Sequence, residues 1–168
     1  MLSDGVAHSH IIYMLAEKLQ VKSYLELGVY DGQTIGQVAT IVPYCVGVDI
    51  KPFGPIANVL AFVESTDTFI RVNLKTTFDM VFIDADHSYE AVKRDFWGVF
   101  THVKNDGIIL LHDTYPESES YTSTGYCGDS YKFAQELHEH KDILESMTLP
   151  YSPGLTIVRK RTKQIPWI

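Results

Sequence analysis

The chain alternates between short, continuous apolar runs and longer stretches in which apolar residues recur every three to four positions. Continuous runs are typical of strands buried on both faces, and the longer period is typical of amphipathic helices. The apolar runs predict strands over 23–27, 44–49, 60–64, 78–83 and 108–111. The periodic stretches predict helices over 8–20, 33–42, 66–74, 89–103 and 129–144.

Two final apolar segments, 145–149 and 155–159, predict strands joined as an antiparallel hairpin. Buried strands that alternate with helices are typical of a parallel sheet covered by helices on both faces. The sequence therefore predicts one α/β domain over 1–168. Its sheet is expected to be Rossmann-like and doubly wound, mostly parallel, with the hairpin as an antiparallel C-terminal addition.

Residues 114–128 are polar and aromatic and follow neither period. We expect them to form a loop over the functional site. Tyr115, Tyr121 and Tyr126 in this loop are candidates for one wall of a ligand pocket, although tyrosines that pack on a surface loop would produce the same sequence.

Composition narrows the classes of partner. A chain of 168 residues can bury one core, and its net charge of −7 argues against a nucleic-acid backbone as the main partner. No apolar run approaches the roughly 20 residues of a membrane span. Cys45 and Cys127 lack metal-binding spacing and fit a reducing compartment. We expect a cytoplasmic protein with a small-molecule ligand, and a homo-oligomer remains open.

Polar residues follow the predicted parallel strands. Ligands of open α/β sheets bind outside the carboxyl ends of the strands, so these residues make up the candidate site. A strand-end carboxylate taken alone is often only a helix cap, but here several strands end in such groups. The candidates after the first strand are Asp49, Ser65, Asp67, Asp84, Asp86, His87, His112 and Asp113.

The first strand runs into the glycine-bracketed turn Glu26–Gly32. Gly28 and Gly32 let a ligand approach backbone that carries no Cβ, and the next helix offers free N–H groups. Glu26 would repel a diphosphate and suits a ligand with an ammonium group. Asp49 follows Gly28 by 21 positions, the spacing of an acid that accepts hydrogen bonds from ribose hydroxyls. The turn predicts a cofactor with an adenosine end and an amino-acid end.

Four segments, taken in order, resemble class I S-adenosylmethionine-dependent methyltransferases: Leu25–Gly32, Val48–Asp49, Phe78–Glu90 and Gly107–Asp113. The chain is most similar to the small metal-dependent branch that includes catechol-type, caffeoyl-CoA-type and macrocin-type sugar O-methyltransferases. This resemblance implies S-adenosylmethionine as cofactor and a hydroxyl of a small sugar or phenolic molecule as methyl acceptor. The cofactor-binding residues are expected to be Glu26, Gly28, Tyr30, Gly32, Asp49, Ser65, Asp67 and Asp84.

The resemblance also implies a divalent metal, Mg²⁺ or Mn²⁺, that holds the acceptor hydroxyl. Its ligands transfer to Asp84, His112 and Asp113. His112 replaces the usual aspartate, and an imidazole suits Mn²⁺, Fe²⁺ or Zn²⁺ better than Mg²⁺. The alternative is a buried, hydrogen-bonded His112 and no metal.

Asp86 and His87 are the candidates for the catalytic base. Sugar-methylating relatives have an acid at the position of Asp86, and catechol-type relatives have a lysine at that of His87. An imidazole titrates near neutrality and suits proton removal, so the sequence does not separate the two.

Two other functions remain open. A metal-dependent hydroxylase or hydrolase could use the same strand-end Asp and His residues. Metal-dependent activity without S-adenosylmethionine would favour it. A protein that only binds the cofactor is the second alternative, and a methyl-acceptor screen would separate it from an enzyme.

Overall fold

The computed structural model describes residues 8–123 and 125–161. The predicted domain over 1–168 therefore extends beyond the described residues at both ends, and the predicted loop includes one residue outside them. The described strands are β1 Ser23–Leu27, β2 Tyr44–Asp49, β3 Val59–Val63, β4 Phe78–Ile83, β5 Val103–His112, β6 Leu144–Leu149 and β7 Leu155–Lys160. The described α-helices are α1 His8–Lys18, α2 Gln33–Val38, α3 Thr66–Thr68, α4 Tyr89–Phe100 and α5 Ser130–Glu136.

These strands form one sheet in the order β3-β2-β1-β4-β5-β7-β6. The first five in this order pair in parallel, and β7 is antiparallel to both β5 and β6. The predicted doubly wound, mostly parallel sheet with a C-terminal antiparallel hairpin is confirmed. The strand order reverses between β1 and β4, which is where open α/β sheets bind ligands.

Apolar side chains cover both faces of the sheet. On one face Leu25, Leu27 and Val81 pack against Phe96 of α4 and Phe133 of α5. The opposite face is covered by α1 and α2, where Ile12 and Ile35 are fully buried. All five residues of β1 are buried, because this strand lies at the centre of the sheet. Its carboxyl end is consequently held on both sides.

β5 differs from its prediction. It was predicted over 108–111, but it begins at Val103 and includes Asn105–Gly107, although these residue types favour turns. Its pairing with β4 is irregular next to Asp79, and a Cβ at Gly107 would lie 2.6 Å from the Asp79 carbonyl oxygen. Close pairing with β4 therefore overrides local turn preference. For the same reason α4 ends at Phe100, three residues early.

Smaller differences occur at other element ends. Leu144 was predicted in a helix, but it begins β6 and pairs with Lys160 in the hairpin. The preceding helix is short because α5 passes into a 3₁₀ turn over Leu137–His140. The predicted helix 66–74 is α3 followed by a π-helical turn, Phe69–Asn73. α2 ends at Val38, and β3 starts one residue early.

Within residues 8–123 and 125–161, no helix combines the length and the hydropathy that crossing a membrane requires.

Candidate functional site

A cavity of about 640 Å³ opens at the carboxyl ends of the central parallel strands. One wall is the loop Ala85–Ser88 between β4 and α4. The facing wall comes from residues between Thr122 and Lys132, and Ile50 lies beside the end of β2. The cavity lies beside the point where the strand order reverses, the usual ligand position in this kind of sheet.

The glycine turn packs against the backbone at Asp84 and Ala85, where the chain leaves β4. Gly28 has φ +90°, and its amide donates to the Val48 carbonyl over 2.8 Å. A Cβ on Gly28 would lie 2.1 Å from the Asp84 carbonyl oxygen. The sequence-based interpretation left the space of the missing Cβ for a ligand, but the backbone at Asp84 fills that space. Contact of Gly28 with a cofactor stays a prediction. Gly28 is required because the backbone after β4 passes directly against it.

Gly32 has φ +82° and stands at the N-terminus of α2. A Cβ there would lie 2.8 Å from the Cδ1 atom of Ile56, at the flexible end of a side chain. Space at this position is therefore less restricted than at Gly28, although the backbone conformation still favours glycine.

Asp49 organises the turn through three backbone hydrogen bonds. Its Oδ2 accepts from the amides of Val29, over 2.9 Å, and Tyr30, over 2.8 Å, while Oδ1 accepts from Lys51 over 2.9 Å. The backbone of Tyr30 is in the left-handed region, at φ 53°. The residue is 86% exposed, so its ring projects into solvent. Contact between Asp49 and a ribose stays a prediction. In the structure, Asp49 holds the backbone of the glycine turn.

Glu26 lies beneath the turn with 1% of its surface exposed. The Tyr24 hydroxyl donates to Glu26 Oε2 over 2.5 Å, and the Ile35 backbone also hydrogen-bonds the carboxyl. Burial raises the pKa of Glu26 well above its usual value. In this arrangement the carboxyl joins β1 to α2, and its contact with a ligand ammonium stays a prediction.

Ser65 and Asp67 lie at the rim after β3 and have protein partners of their own. Ser65 caps α3, since its Oγ accepts from the Thr68 amide over 3.2 Å. Asp67 forms an ion pair with Arg71 over 3.0 Å. Neither residue is part of the described cavity wall, and their contact with a cofactor stays a prediction.

Three side chains at the site could hold a metal ion. Asp84, His87 and Asp113 each offer one ligand atom, and these atoms lie within 4.8 Å of one another. Asp113 follows β5 with a left-handed backbone, φ 58°, which is strained for a residue other than glycine. We refer to these three residues as the Asp–His–Asp cluster. It contains His87 where the sequence-based prediction had His112.

His112 lies behind the cluster. Its Nδ1 is 3.0 Å from Asp84 Oδ1, and its Nε2 is buried with no hydrogen-bond partner among the described residues. A carboxylate only accepts hydrogen bonds, so Nδ1 is the donor. The predicted metal ligand thus serves as a hydrogen-bond donor to one carboxylate of the cluster.

The charged groups of the cluster shift one another's pKa values. The hydrogen bond with Asp84 raises the pKa of His87 to about 9, against the effect of burial and with help from the Tyr126 carbonyl and Asp113. Burial favours the neutral form of Asp84, but His112 and His87 together hold its pKa far below the usual range. Burial raises the pKa of Asp113. His87 is therefore an imidazolium at neutral pH when no metal is bound.

Asp86 differs sharply from Asp84, two positions away. Its Oδ1 accepts from the Ser88 amide over 2.8 Å, and Ser88 lowers the pKa of Asp86. The residue is exposed and lines the cavity. Of the two predicted base candidates, Asp86 faces the cavity as a carboxylate, whereas His87 is occupied by Asp84, Asp113 and the Tyr126 carbonyl.

His8 at the start of α1 also approaches this site, and sequence reasoning missed it. Its ring centroid lies 4.0 Å from that of His112, and its Nε2 is 3.2 Å from Thr34 Oγ1. Burial lowers the pKa of His8 to about 4, so its ring is neutral at pH 7. Nothing in the local sequence of an amphipathic helix marks such a residue.

The tyrosines of the predicted loop have different positions. Tyr126 lines the cavity and packs against Tyr121, with ring centroids 5.4 Å apart. The described cavity wall does not include Tyr115, whose amide donates to the Pro153 carbonyl over 2.7 Å. Tyr126 thus occupies the predicted wall position, with Tyr121 as its support.

Comparisons with known proteins identify the family. A family model described as a methyltransferase domain matches residues 25–114 of the 168. A comparison with curated proteins gave no match. Among solved structures, the O-methyltransferase TomG from Streptomyces achromogenes, in complex with SAM, is 17% identical with a TM-score of 0.71. The alignment covers 95% of this chain and 82% of TomG.

Two further solved structures share this fold. An O-methyltransferase from Bacillus cereus in complex with SAH is 14% identical, with a TM-score of 0.71 over 95% of this chain and 84% of that one. An SAH-bound methyltransferase from Podospora anserina is 16% identical, with a TM-score of 0.71 over 92% and 78%. Because the family model covers more than half of the chain, from β1 to the residue after Asp113, the chain belongs to the methyltransferase domain family.

Proposed function

We propose that this chain is an S-adenosylmethionine-dependent O-methyltransferase that acts on a hydroxyl of a small sugar or phenolic molecule. The observation that carries the proposal is the cavity at the switch point of a methyltransferase-family sheet, with Asp86 and His87 on its wall. The O-methyltransferase neighbours were crystallised with SAM or SAH, which supports the choice of cofactor.

The cofactor would lie along the glycine turn. Asp49 and the helix start after Gly32 would hold its polar ends, and the exposed Tyr30 ring would cover it, which the position of all three around one turn supports. Ser65 and Asp67 at the end of β3 are the expected contacts of the adenosine end. When bound, S-adenosylmethionine supplies the methyl group to an acceptor oxygen that must be held close and aligned with it.

Asp86 is the proposed base. Its carboxylate is ionised at neutral pH, exposed on the cavity wall and held by the Ser88 amide. It would accept the acceptor hydroxyl proton as the methyl group is transferred. His87 would instead position the acceptor side of the cavity through its fixed ring.

The Asp–His–Asp cluster fits a divalent metal, because two carboxylates and an imidazole converge with ligand atoms within 4.8 Å. A bound ion would hold the acceptor oxygen and lower the pKa of its hydroxyl. Asp84 and Asp113 follow the adjacent strands β4 and β5, so an ion that they hold would lie near Asp86.

Calorimetry with SAM and SAH, followed by a methyl-acceptor panel of sugars and phenols, tests the proposal. We expect both ligands to bind. Asp86→Asn should lower kcat by about 100-fold or more while SAM affinity stays within a few-fold. Asp142→Asn is the control, because Asp142 is exposed and just precedes β6 at the opposite edge of the sheet.

Absence of SAM and SAH binding would overturn the proposed function. Cofactor binding without methylation of any acceptor would favour the non-catalytic binder, and full turnover of Asp86→Asn would remove Asp86 as base. Iron- or zinc-dependent activity without SAM would favour the hydroxylase or hydrolase alternative.

A further inference from the structure

The imidazole of the Asp–His–Asp cluster is oriented by its surroundings. His87 Nδ1 lies 2.5 Å from the Tyr126 carbonyl oxygen and 3.0 Å from Asp113 Oδ2. A carbonyl oxygen only accepts hydrogen bonds, so Nδ1 carries a proton. His87 Nε2 then faces Asp84 Oδ1, 3.5 Å away. Metal-binding histidines commonly donate one ring N–H to a backbone carbonyl in this way and bind the ion through the other nitrogen.

The backbone of His87 is held as firmly as its ring. Its carbonyl accepts hydrogen bonds from the Asp129 amide, over 3.0 Å, and from Ser130 Oγ, over 3.1 Å. A Cβ at Gly128 would fall 2.4 Å from the same carbonyl oxygen, so the two segments are in close contact. The ring is therefore positioned before any ligand arrives, although it lies in a loop.

Asp84 is positioned by a second histidine, His112. His112 Nδ1 donates to Asp84 Oδ1 over 3.0 Å, and the His112 side chain is only 11% exposed. The His8 ring packs against His112 with centroids 4.0 Å apart. This layer orients a carboxylate of the cluster, which is the usual function of groups behind metal ligands. His112 is thus a positioning residue.

The donor set distinguishes between classes of ion. Mg²⁺ prefers an octahedron of oxygen ligands and keeps several waters, whereas Mn²⁺, Fe²⁺ and Zn²⁺ accept imidazole nitrogen readily. We infer that the cluster binds a first-row transition metal ion of this class through His87 Nε2, Asp84 and Asp113, in preference to Mg²⁺. The inference rests on the proposed function in that the ion would serve the same acceptor site, but binding is measurable without an acceptor.

The metal-stripped chain of 168 residues, titrated with Mn²⁺ and with Mg²⁺ by calorimetry, provides the first test. We expect Mn²⁺ to bind at least about 10-fold more tightly. Pulsed electron paramagnetic resonance of the Mn²⁺-loaded protein should show coupling to an imidazole nitrogen. Equal or tighter binding of Mg²⁺, or the lack of nitrogen coupling, would overturn the inference.

Substitutions test which histidine supplies the nitrogen ligand of the ion. His87→Gln should weaken Mn²⁺ binding by about 100-fold, and His112→Gln by about 10-fold through Asp84. His138→Gln is the control, because His138 is exposed beyond α5. His87→Asp should shift the preference toward Mg²⁺ by completing an all-oxygen set. Unchanged Mn²⁺ affinity in His87→Gln, or a greater loss in His112→Gln, would overturn the assignment of His87. If His87→Gln fails to fold, the inference is tested by the nitrogen coupling in the Mn²⁺-loaded unmodified protein, whose absence would overturn it.

The same metal-stripped preparation separates this inference from the proposed function. SAM binding is measured on it without added metal. Mn²⁺ binding with no SAM binding would leave the metal site in place and remove the methyltransferase proposal. SAM binding with no Mn²⁺ binding would overturn the metal inference alone.

Discussion

At the scale of single residues, neighbouring groups of the same type have opposite environments. Asp84 is held by two histidines, and Asp86 by the amide of Ser88 on the open cavity wall. The pKa of His87 is raised by the hydrogen bond with Asp84, whereas burial lowers that of His8. Partners and burial, more than residue type, therefore separate the proposed metal ligands, the proposed base and a neutral packing residue.

Asp49 provides a prediction about cofactor binding. Asp49→Ala should weaken SAM binding by about 1.5–3 kcal/mol, the usual value for hydrogen bonds to a charged group. The structure adds a second reason, because Asp49 also holds the amides of Val29 and Tyr30. Calorimetry with SAH and with its 2′-deoxy and 3′-deoxy ribose analogues separates the two contributions.

If Asp49 contacts the ribose, its removal should cost less affinity for a deoxy analogue than for SAH. An equal cost for all ligands would mean that Asp49 acts only through the turn. Unchanged SAM affinity would rule out both roles.

Gly28 provides a prediction about stability. Gly28→Ala should lower the free energy of unfolding by about 3 kcal/mol or more, because the methyl group meets the Asp84 carbonyl and φ is +90°. Gly36→Ala is the matched control, since a Cβ there meets nothing within 4 Å and the residue lies inside α2. It should be stabilising by up to about 1 kcal/mol.

Urea unfolding at neutral pH measures both glycine variants. Similar midpoints for Gly28→Ala and the unmodified protein would show that the backbone after β4 can move away from the turn. The site would then be less rigid than the structure indicates.

At the scale of elements, Asp79 joins three central strands. Its Oδ2 accepts from the Ser23 amide over 2.9 Å and from the Lys22 amide over 3.0 Å, which secures the start of β1. Its Oδ1 accepts from Lys104 of β5 over 2.7 Å. A residue of β4 therefore fixes the amino ends of its two neighbours in the sheet.

Asp79→Asn should destabilise the fold by about 2–3 kcal/mol at neutral pH, because the network loses its negative charge and one of its two acceptor oxygens. The control is Asp106→Asn, because Asp106 is an exposed aspartate of the neighbouring strand β5. Urea midpoints should fall for the first variant and stay unchanged for the second. Equal midpoints would show that the Asp79 network contributes nothing measurable.

This contribution should also depend on pH. Burial raises the pKa of Asp79, but hydrogen bonds from Lys104, Ser23 and Lys22 together lower it below its usual value. A lowered carboxyl pKa stabilises the fold above the unfolded pKa of about 4, and the effect is lost as pH falls through the folded value. The difference between Asp79→Asn and the unmodified protein should therefore shrink below about pH 4.

At the scale of the whole molecule, the site depends on parts that are distant in sequence. Asp49 holds the glycine turn after β1, the loop after β4 carries Asp86 and His87, and Asp113 comes from the end of β5. The segment between β5 and α5 closes the facing wall through Tyr126. The sheet unites these parts because β1, β2, β4 and β5 are parallel neighbours, so their carboxyl ends lie at the same edge.

The sequence by itself determined the strands, the strand-end residues and the family. Continuous apolar runs marked where the strands lie, although β3 is partly exposed in the sheet. Four segments taken in order, from Leu25–Gly32 to Gly107–Asp113, identified a methyltransferase. The edges of elements were predicted less well. β5 begins at Val103 because pairing with β4 outweighs the turn preference of Asn105–Gly107.

Only the tertiary structure decided which residues act together. The order of residues places His112 next to Asp113, but the cluster forms with His87, because the Tyr126 carbonyl from a distant segment turns the His87 ring toward the carboxylates. Likewise, Gly28 is needed for the chain that crosses it at Asp84. Strand patterns depend on local hydrophobicity, whereas a side chain's direction depends on donors and close contacts that the fold brings from elsewhere.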